Sequence, residues 1–364
     1  MIKRTIIVFF VCVAFLNHCF AIGVSAKSAI LYEPETKTVL FEKDSEAKRA
    51  IASTTKIMTA VVVLENANLS DVITIPEMCV GTEGTSMYLK ADEKLSVEDL
   101  LYGLMLQSGN DAALALAYYV GNGDVAHFVD MMNAKAAQIG MVNTNFENPN
   151  GLPAEKHVST AKDMAVLAAY AMENPDFANI VSTKSANVAG RTMANHNKLL
   201  RLYDGVNGIK TGFTKAAGRC LVSSAEKNGM KLVAVTLFAP DDWNDHIRMF
   251  DFGFNNFSKI ETPAKGEFLA KVDVVGGTKT SVSAVLSEKK FFLEKTENAD
   301  RICREIFLPR FIYAPITRGD VIGELRYTLD GRLVGKSNII ADVSVDYYET
   351  PTFWDRILKL LRRK

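Results

Sequence analysis

The strongest constraint on the fold is the dipeptide Asn228-Gly229, which separates two apolar runs, Cys220 to Ala225 and Lys231 to Phe238. Asn and Gly both tolerate a positive φ, so this pair predicts a tight turn between two antiparallel strands. Two shorter strand-like segments, Ser28 to Tyr32 and Thr38 to Phe41, lie near the N-terminal end. We therefore expect an antiparallel sheet built from both ends of this part of the chain.

The segment between these strands carries apolar residues at helical spacing. The predicted helices are Ile51 to Leu64, Val97 to Leu106, Asp111 to Val120, Val125 to Ile139 and Thr160 to Met172. Helices grouped together, with strands before and after them, indicate an α+β domain rather than alternating βαβ units. Residues 263–348 are rich in Val, Thr, Ile and Lys without a helical period, and they predict a small all-β second domain.

Charge and composition exclude several classes of protein. The 364 residues carry 42 Lys and Arg against 42 Asp and Glu, so nothing indicates a nucleic-acid partner. The five histidines show no metal-ligand spacing, and we expect neither a metal nor another cofactor.

The N-terminus has the pattern of a secretory signal peptide. Lys3 and Arg4 precede an apolar run from Thr5 to Leu16, which is too short to span a bilayer. Small residues then offer two cleavage sites, after Cys19-Phe20-Ala21 or after Val24-Ser25-Ala26. We assign residues 1–26 to the signal peptide, with an uncleaved N-terminal anchor as the alternative. The protein is thus expected outside the cytoplasm, on the outer face of the cytoplasmic membrane or in the cell wall space.

Cleavage there leaves Cys79, Cys220 and Cys303. An odd number of cysteines excludes a full disulfide framework, and Cys220 is predicted to be a small buried hydrophobe.

The C-terminal segment, residues 349–364, places Trp, Phe and Leu residues opposite Lys and Arg residues at helical spacing. This pattern is typical of a helix that lies in the plane of a membrane surface. The alternative is an amphipathic helix docked on its own domain.

Ser53-Thr54-Thr55-Lys56 is the first motif that could carry chemistry. Side chains three residues apart share one face of a helix, so a lysine amine can reach the serine hydroxyl and act as its base. The spacing Ser-x-x-Lys occurs five times in the chain, but only at Ser53 does a long apolar helix follow.

Two further short motifs follow, Ser108-Gly109-Asn110 between two predicted helices and Lys210-Thr211-Gly212 at the end of a predicted strand, Gly205 to Thr211. The first offers a hydroxyl and an amide for proton relay and substrate binding, and the second offers a cation and a hydroxyl for an anion. Taken alone, the first is also typical of a helix cap and the second of a plain strand end.

Together and in this order, the three motifs resemble those of low-molecular-weight penicillin-binding proteins that act as serine D-alanyl-D-alanine carboxypeptidases. The resemblance runs from about Ser28 to Phe254 and includes Asn148 to Pro153, His157 to Met164 and Asp204 to Thr214. It implies a β-lactamase/D,D-peptidase-like catalytic domain at 27–262, the β domain at 263–348 and the anchor helix at 349–364.

The resemblance also implies roles for the motif residues. Ser53 is the nucleophile that forms the acyl-enzyme, and Lys56 is its base. Ser108 and Asn110 pass protons and bind the substrate amide, whereas Lys210 and Thr211 bind the terminal carboxylate. Gly212 lets the substrate approach the strand, and the N–H groups of Ser53 and Phe213 form the oxyanion hole. The implied substrates are stem peptides of peptidoglycan, and β-lactams are the implied covalent inhibitors.

The chain departs from the family where related enzymes often place an arginine before Lys-Thr-Gly, since His196 stands in that stretch. Carboxylate binding is therefore predicted to rest more heavily on Lys210 and Thr211. A β-lactamase or a D,D-endopeptidase is the nearest alternative, although neither Glu147 nor Glu155 sits in a deacylation motif. A non-catalytic wall-binding or β-lactam-sensing protein is the alternative of another class.

Overall fold

The computed structural model describes residues 22–349. Most of the predicted signal peptide, and residues 350–364 of the predicted tail helix, lie outside the described residues. The helices are α1 Lys56–Asn66, α2 Val97–Leu106, α3 Asn110–Val120, α4 Val125–Gln138, α5 Ala161–Met172, α6 Pro175–Ser182, α7 Leu199–Leu202 and α8 Asp242–Asn256. Short 3-10 turns occupy Ala52–Thr55, Glu77–Cys79 and Thr296–Arg301.

The strands of the first part of the chain are β1 Ser28–Glu33, β2 Thr38–Lys43, β3 Val72–Thr74, β4 Lys94–Ser96, β5 Ser185–Val188, β6 Arg191–Ala194, β7 Val206–Thr214, β8 Gly218–Lys227 and β9 Met230–Leu237. Those of the second part are β10 Phe257–Glu261, β11 Phe268–Val275, β12 Ser281–Leu286, β13 Phe291–Lys295, β14 Ile302–Phe307, β15 Phe311–Tyr313, β16 Val321–Leu329 and β17 Arg332–Ala341.

The main sheet is antiparallel, with the strand order β2-β1-β9-β8-β7. The predicted hairpin is confirmed: β8 and β9 pair up to Lys227 and Met230, and Asn228 and Gly229 both have positive φ, 51° and 72°. The N-terminal strand β1 lies beside β9, with Ala29 opposite Thr236. Both ends of this part of the chain therefore form one sheet, as the sequence predicts.

Two apolar clusters cover the two faces of this sheet. Helices α1 to α6 form the larger cluster, which includes Ile57, Leu104 and Leu116. Helix α8 covers the opposite face through Met249 and Phe250, both fully buried. The domain therefore has three layers. Strand β7 lies at the edge of the sheet, and its residues 210–213 lie next to the 3-10 turn before α1.

Three features differ from the sequence expectations. The predicted helix from Ile51 to Leu64 begins as a 3-10 turn, because Ala52 has a φ of 48°, and regular α-helix starts only at Lys56. Helix α6 was not predicted; Asn174 caps it and Pro175 occupies its first position. Helix α8 was not predicted: its first turn is acidic and polar, although the apolar residues that follow lie on one side of the helix at helical spacing.

The second part of the chain is all-β, apart from the 3-10 turn Thr296–Arg301, and confirms the predicted class of that domain. Its main sheet has the order β14-β16-β17-β12-β11-β15, and β10 pairs with β13 beside it. Among the described residues, no helix is long and apolar enough to cross a membrane.

Candidate active site

Ser53 and Lys56 meet at the start of α1. Lys56 Nζ lies 3.1 Å from Ser53 Oγ, 2.6 Å from Asn110 Oδ1 and 2.7 Å from the carbonyl oxygen of Asn150. The lysine side chain is fully buried, whereas Ser53 opens into a cleft. The amine is thus held by three polar contacts, and all three of the residues that make them line the cleft.

Burial lowers the pKa of Lys56 well below its ordinary value, and the positive charge of Lys210 lowers it further. The carboxylate of Asp111 acts in the opposite direction. A lysine with a depressed pKa can carry a free lone pair near neutral pH, which a general base needs.

The turn between α2 and α3 brings Ser108 and Asn110 to the same cleft. The helix-cap interpretation does not hold here, because Gly109 is the N-cap of α3 and no side chain caps it. Asn110 instead is the first residue of α3, where its Oδ1 accepts from Lys56 and its Nδ2 donates to the carbonyl of Glu83 at 2.6 Å. The backbone φ of Ser108 is 60°, a value that residues other than glycine rarely adopt.

Lys210 lies on β7, 1% exposed, with its Nζ donating to the carbonyl oxygen of Thr211 at 3.0 Å. Burial lowers the pKa of Lys210 to about 7. Gly212 is required because β7 passes close to the turn that carries Ser53: a Cβ on Gly212 would lie 3.0 Å from the backbone nitrogen of Ser53. Strand β7 therefore runs directly past the serine, and any larger residue at 212 would push them apart.

The cleft has a volume of about 650 Å³, a size that suits a small peptide or a β-lactam. Of the residues predicted for the site, those that line it are Ser53, Ser108, Asn110, His196, Thr211, Gly212 and Phe213. Lys56 and Lys210 are buried beneath it. Burial and the nearby charge of Lys210 lower the pKa of His196, which favours its neutral form. Neither Glu147 nor Glu155 is among the described residues that line the cleft.

Arg219, Asp242 and Trp243 also line this cleft, and sequence reasoning missed the arginine. Arg219 lies on β8 opposite Phe213, and its Nη2 and Nε both donate to Asp242 Oδ1, at 2.6 and 3.0 Å. Its guanidinium carbon also lies 5.5 Å from the centroid of the Trp243 ring. The signal that could have revealed it is its place on the strand next to Lys-Thr-Gly, just across the turn.

A buried histidine supports the nucleophile from behind. Glu147 N–H donates to His157 Nδ1 at 3.1 Å, so Nε2 carries the proton and donates to Thr55 Oγ1 at 2.8 Å. Thr55 Oγ1 in turn donates to the carbonyl oxygen of Ala52 at 2.8 Å. Burial lowers the pKa of His157 to about 4, so the neutral ring holds the turn that carries Ser53.

Among residues 22–349, no group of three or more His, Cys, Asp or Glu side chains could hold a metal ion. Cys220 is fully buried in the core, as predicted.

Comparison with known protein families identifies both parts of the chain. Residues 17–241 match the family model described as D-alanyl-D-alanine carboxypeptidase, and residues 257–347 match the C-terminal domain of penicillin-binding protein 5. D-alanyl-D-alanine carboxypeptidase DacF of Bacillus subtilis is 34% identical over 87% of this chain and 85% of its own length. DacC of Escherichia coli is 32% identical over 89% of this chain and 85% of its own length.

The solved structure of penicillin-binding protein 5 from Haemophilus influenzae superposes with a TM-score of 0.77 at 30% identity, and covers 89% of this chain and 98% of its own.

The fold and its two parts define a low-molecular-weight penicillin-binding protein. The chain belongs to the D-alanyl-D-alanine carboxypeptidase family, peptidase family S11. The family and the enzymatic activity that the sequence predicts are both confirmed.

Proposed function

We propose that this enzyme removes the terminal D-alanine from peptidoglycan stem peptides through an acyl-enzyme on Ser53. The observation that carries the proposal is the contact between the buried Lys56 amine and the hydroxyl of Ser53 at the floor of the cleft. A serine is a weak nucleophile until a base takes its proton, and this amine is the group placed to do so.

The surroundings of Lys56 suit a neutral amine. Such an amine has two N–H donors and one lone pair, and its three polar neighbours are two acceptors and one hydroxyl. The N–H groups donate to Asn110 Oδ1 and to the Asn150 carbonyl, and the lone pair receives the Ser53 proton. Ser53 Oγ then attacks the carbonyl carbon of the penultimate D-alanine, and the proton passes through Ser108 to the departing D-alanine nitrogen. Water hydrolyses the acyl-enzyme in a second step.

The negative charge that develops on the carbonyl oxygen needs donors already in place. The backbone N–H groups of Ser53 and Phe213 supply them, since Gly212 lets β7 pass against the nitrogen of Ser53. Removing one donor from an oxyanion hole typically slows an enzyme by about 10²–10³.

The terminal carboxylate of the substrate binds among the cationic and hydroxyl groups of the cleft. Thr211 and His196 line the cleft, Lys210 provides positive charge beneath it, and Arg219 provides a second cation from β8. Asp242 fixes the guanidinium by two hydrogen bonds, which leaves its remaining N–H groups for the substrate. Arg219 thus replaces the arginine that is missing before Lys-Thr-Gly.

The protein acts outside the cytoplasm, where peptidoglycan is made. Residues of the signal peptide direct its export, and the C-terminal segment anchors the mature enzyme to the membrane surface. The catalytic part ends near residue 262, and the β domain extends to about residue 348 between the catalytic part and the anchor.

The test is incubation of the purified enzyme with benzylpenicillin, followed by intact mass and peptide mapping. A stable acyl adduct on Ser53 that is absent from Ser53→Ala supports the proposal. Release of free D-alanine from a D-Ala-D-Ala peptide then separates a carboxypeptidase from an endopeptidase. Rapid penicillin consumption without an adduct would favour a β-lactamase, and no reaction at all would favour a binding protein.

A further inference from the structure

Residues 22–26 are built into the catalytic domain. Ser25 donates from its backbone nitrogen to Asp245 Oδ1 at 2.8 Å and from its hydroxyl to Asp245 Oδ2 at 2.7 Å. The nitrogen of Ala26 donates to Asp245 Oδ2 at 3.0 Å, and Ala26 is fully buried. Ile22 and Val24 pack against the apolar cluster beneath α8, and Lys43 Nζ donates to the carbonyl of Val24.

Asp245 is 0% exposed, so water cannot reach its carboxylate and protein groups must supply its hydrogen bonds. Residues 25 and 26 supply most of them. Arg248 Nη2 also donates a hydrogen bond to Asp245 Oδ1, at 2.5 Å. A chain that began at Lys27 would lose all three hydrogen bonds from Ser25 and Ala26. A buried carboxylate left with one of its four hydrogen bonds is strongly destabilised.

The segment also holds the helix that orients Arg219. Asp242 and Asp245 share the first turn of α8, and the hydroxyl of Ser25 accepts from the nitrogen of Asp241 at 3.0 Å. The N-terminal segment therefore fixes the start of α8, and the start of α8 fixes Arg219 through Asp242. The contacts of Ser25 thereby affect the position of Arg219 in the cleft.

We propose that the signal peptide is cleaved after Ala21 rather than after Ala26, so that the mature enzyme begins at Ile22 and keeps residues 22–26 as a strap across α8. Both sites satisfy the small-residue rule in sequence. Only the first preserves the contacts of Asp245. The cleavage site rests on the export proposed above. Only the expected effect on KM rests on the roles proposed for the residues of the cleft.

The cleavage site is tested by export of the full chain from a bacterial host and by intact mass and N-terminal sequencing of the mature protein. An N-terminus at Ile22 is the expected result. An N-terminus at Lys27, or at any residue before Ile22, overturns the assignment. The penicillin adduct on Ser53 can form in either case, so failure here is distinct from failure of the proposed function.

The strap is tested with three cytoplasmic forms, which begin at Ile22, Ser25 and Lys27 after the initiating methionine. The Lys27 form is expected to melt roughly 5–10 °C lower and to show a KM for a D-Ala-D-Ala peptide raised about threefold or more. The Ser25 form keeps the contacts of Asp245 but loses the packing of Ile22 and Val24, so its melting temperature and KM are expected to lie closer to those of the Ile22 form than to those of the Lys27 form. Equal melting temperatures and KM values for all three forms would overturn the strap, and so would a Ser25 form as weak as the Lys27 form.

If the Lys27 form fails to fold, Ser25→Ala in the Ile22 form provides the measurement. It removes the hydroxyl contacts but leaves both backbone donors. We expect a melting temperature between those of the Ile22 form and Asp245→Asn, and an unchanged value would contradict the proposal.

Discussion

Lys56 and Lys210 lie buried beneath the same cleft, 0% and 1% exposed, and the charge of Lys210 lowers the pKa of Lys56. The two amines need opposite states, since Lys56 must be neutral to accept a proton and Lys210 must be charged to attract a carboxylate. The depressed pKa of each is caused mainly by burial.

The first prediction concerns pH. Lys210, with a pKa of about 7, is charged below that pH and neutral above it, so KM for peptide substrates should rise as the pH passes 7. The acid limb of the profile reports Lys56. Lys210→Ala should weaken turnover strongly and, by removing a positive charge, raise the pKa of Lys56 and move the acid limb to higher pH. Steady-state kinetics from pH 5 to 9 tests this, and an acid limb that does not move would contradict the coupling.

Substitution of Lys56 separates its base role from its charge. Lys56→Arg keeps a positive charge that cannot be lost in a protein, whereas Lys56→Met removes the charge and keeps much of the volume. Both should slow acylation by benzylpenicillin by about 10²–10⁴. If the arginine variant were acylated at the native rate while folding normally, Lys56 would not be the base.

Arg219 should matter for the carboxylate and little for the acyl transfer itself. Arg219→Ala removes a charge-assisted hydrogen bond worth about 1.5–3 kcal/mol, so KM should rise on the order of tenfold or more. Asp242→Asn, which leaves the arginine present but less firmly oriented, should raise KM by less. A substrate whose C-terminus is an amide is the control, and an equal loss with that substrate would exclude carboxylate binding.

His157 makes stability depend on pH. Its pKa falls from an ordinary 6.5 to about 4 in the folded protein, so the unfolded chain binds more protons between these values. The stabilisation from the neutral ring is complete above about pH 6.5 and is lost as the pH falls towards 4, by at most roughly 3 kcal/mol. Thermal unfolding between pH 4 and 7 should show this slope. His157→Gln should reduce it, and His246, whose pKa burial lowers to about 3, accounts for part of what remains.

Removal of residues 350–364 should move the mature enzyme from the membrane fraction to the soluble fraction. The proposed anchor owes its membrane affinity to the apolar and basic residues of that segment, and the cleft lies in another part of the chain. Sedimentation with vesicles that contain anionic lipid measures the change, and the rate of Ser53 acylation serves as the control. Retention of the shortened enzyme on the vesicles would exclude the anchor.

The sequence predicts most of the catalytic layers because their signals are local. Asn228-Gly229 determines the hairpin by its backbone preference, and the helix over Val97–Leu106 follows from its apolar period. The three motifs also predict which residues meet, although their convergence depends on a sheet that joins distant segments.

What the sequence does not predict depends on tertiary context. The 3-10 turn at Ser53 exists because His157 and Thr55 hold it, and these residues are far apart in the chain. The acidic first turn of helix α8 is satisfied by Ser25 and Arg219, which lie outside the helix. Arg219 itself carries no motif, so only its position across from Phe213 gives it a place in the cleft.

The pairing of β1 with β9 also determines when this enzyme can fold. Ala29 pairs with Thr236, which is synthesised about 200 residues later, so the sheet cannot close until most of the catalytic part has left the ribosome. Contacts over such separations in sequence make folding slow. Slow closure of the sheet suits the export proposed above, because an export channel admits only an unfolded chain.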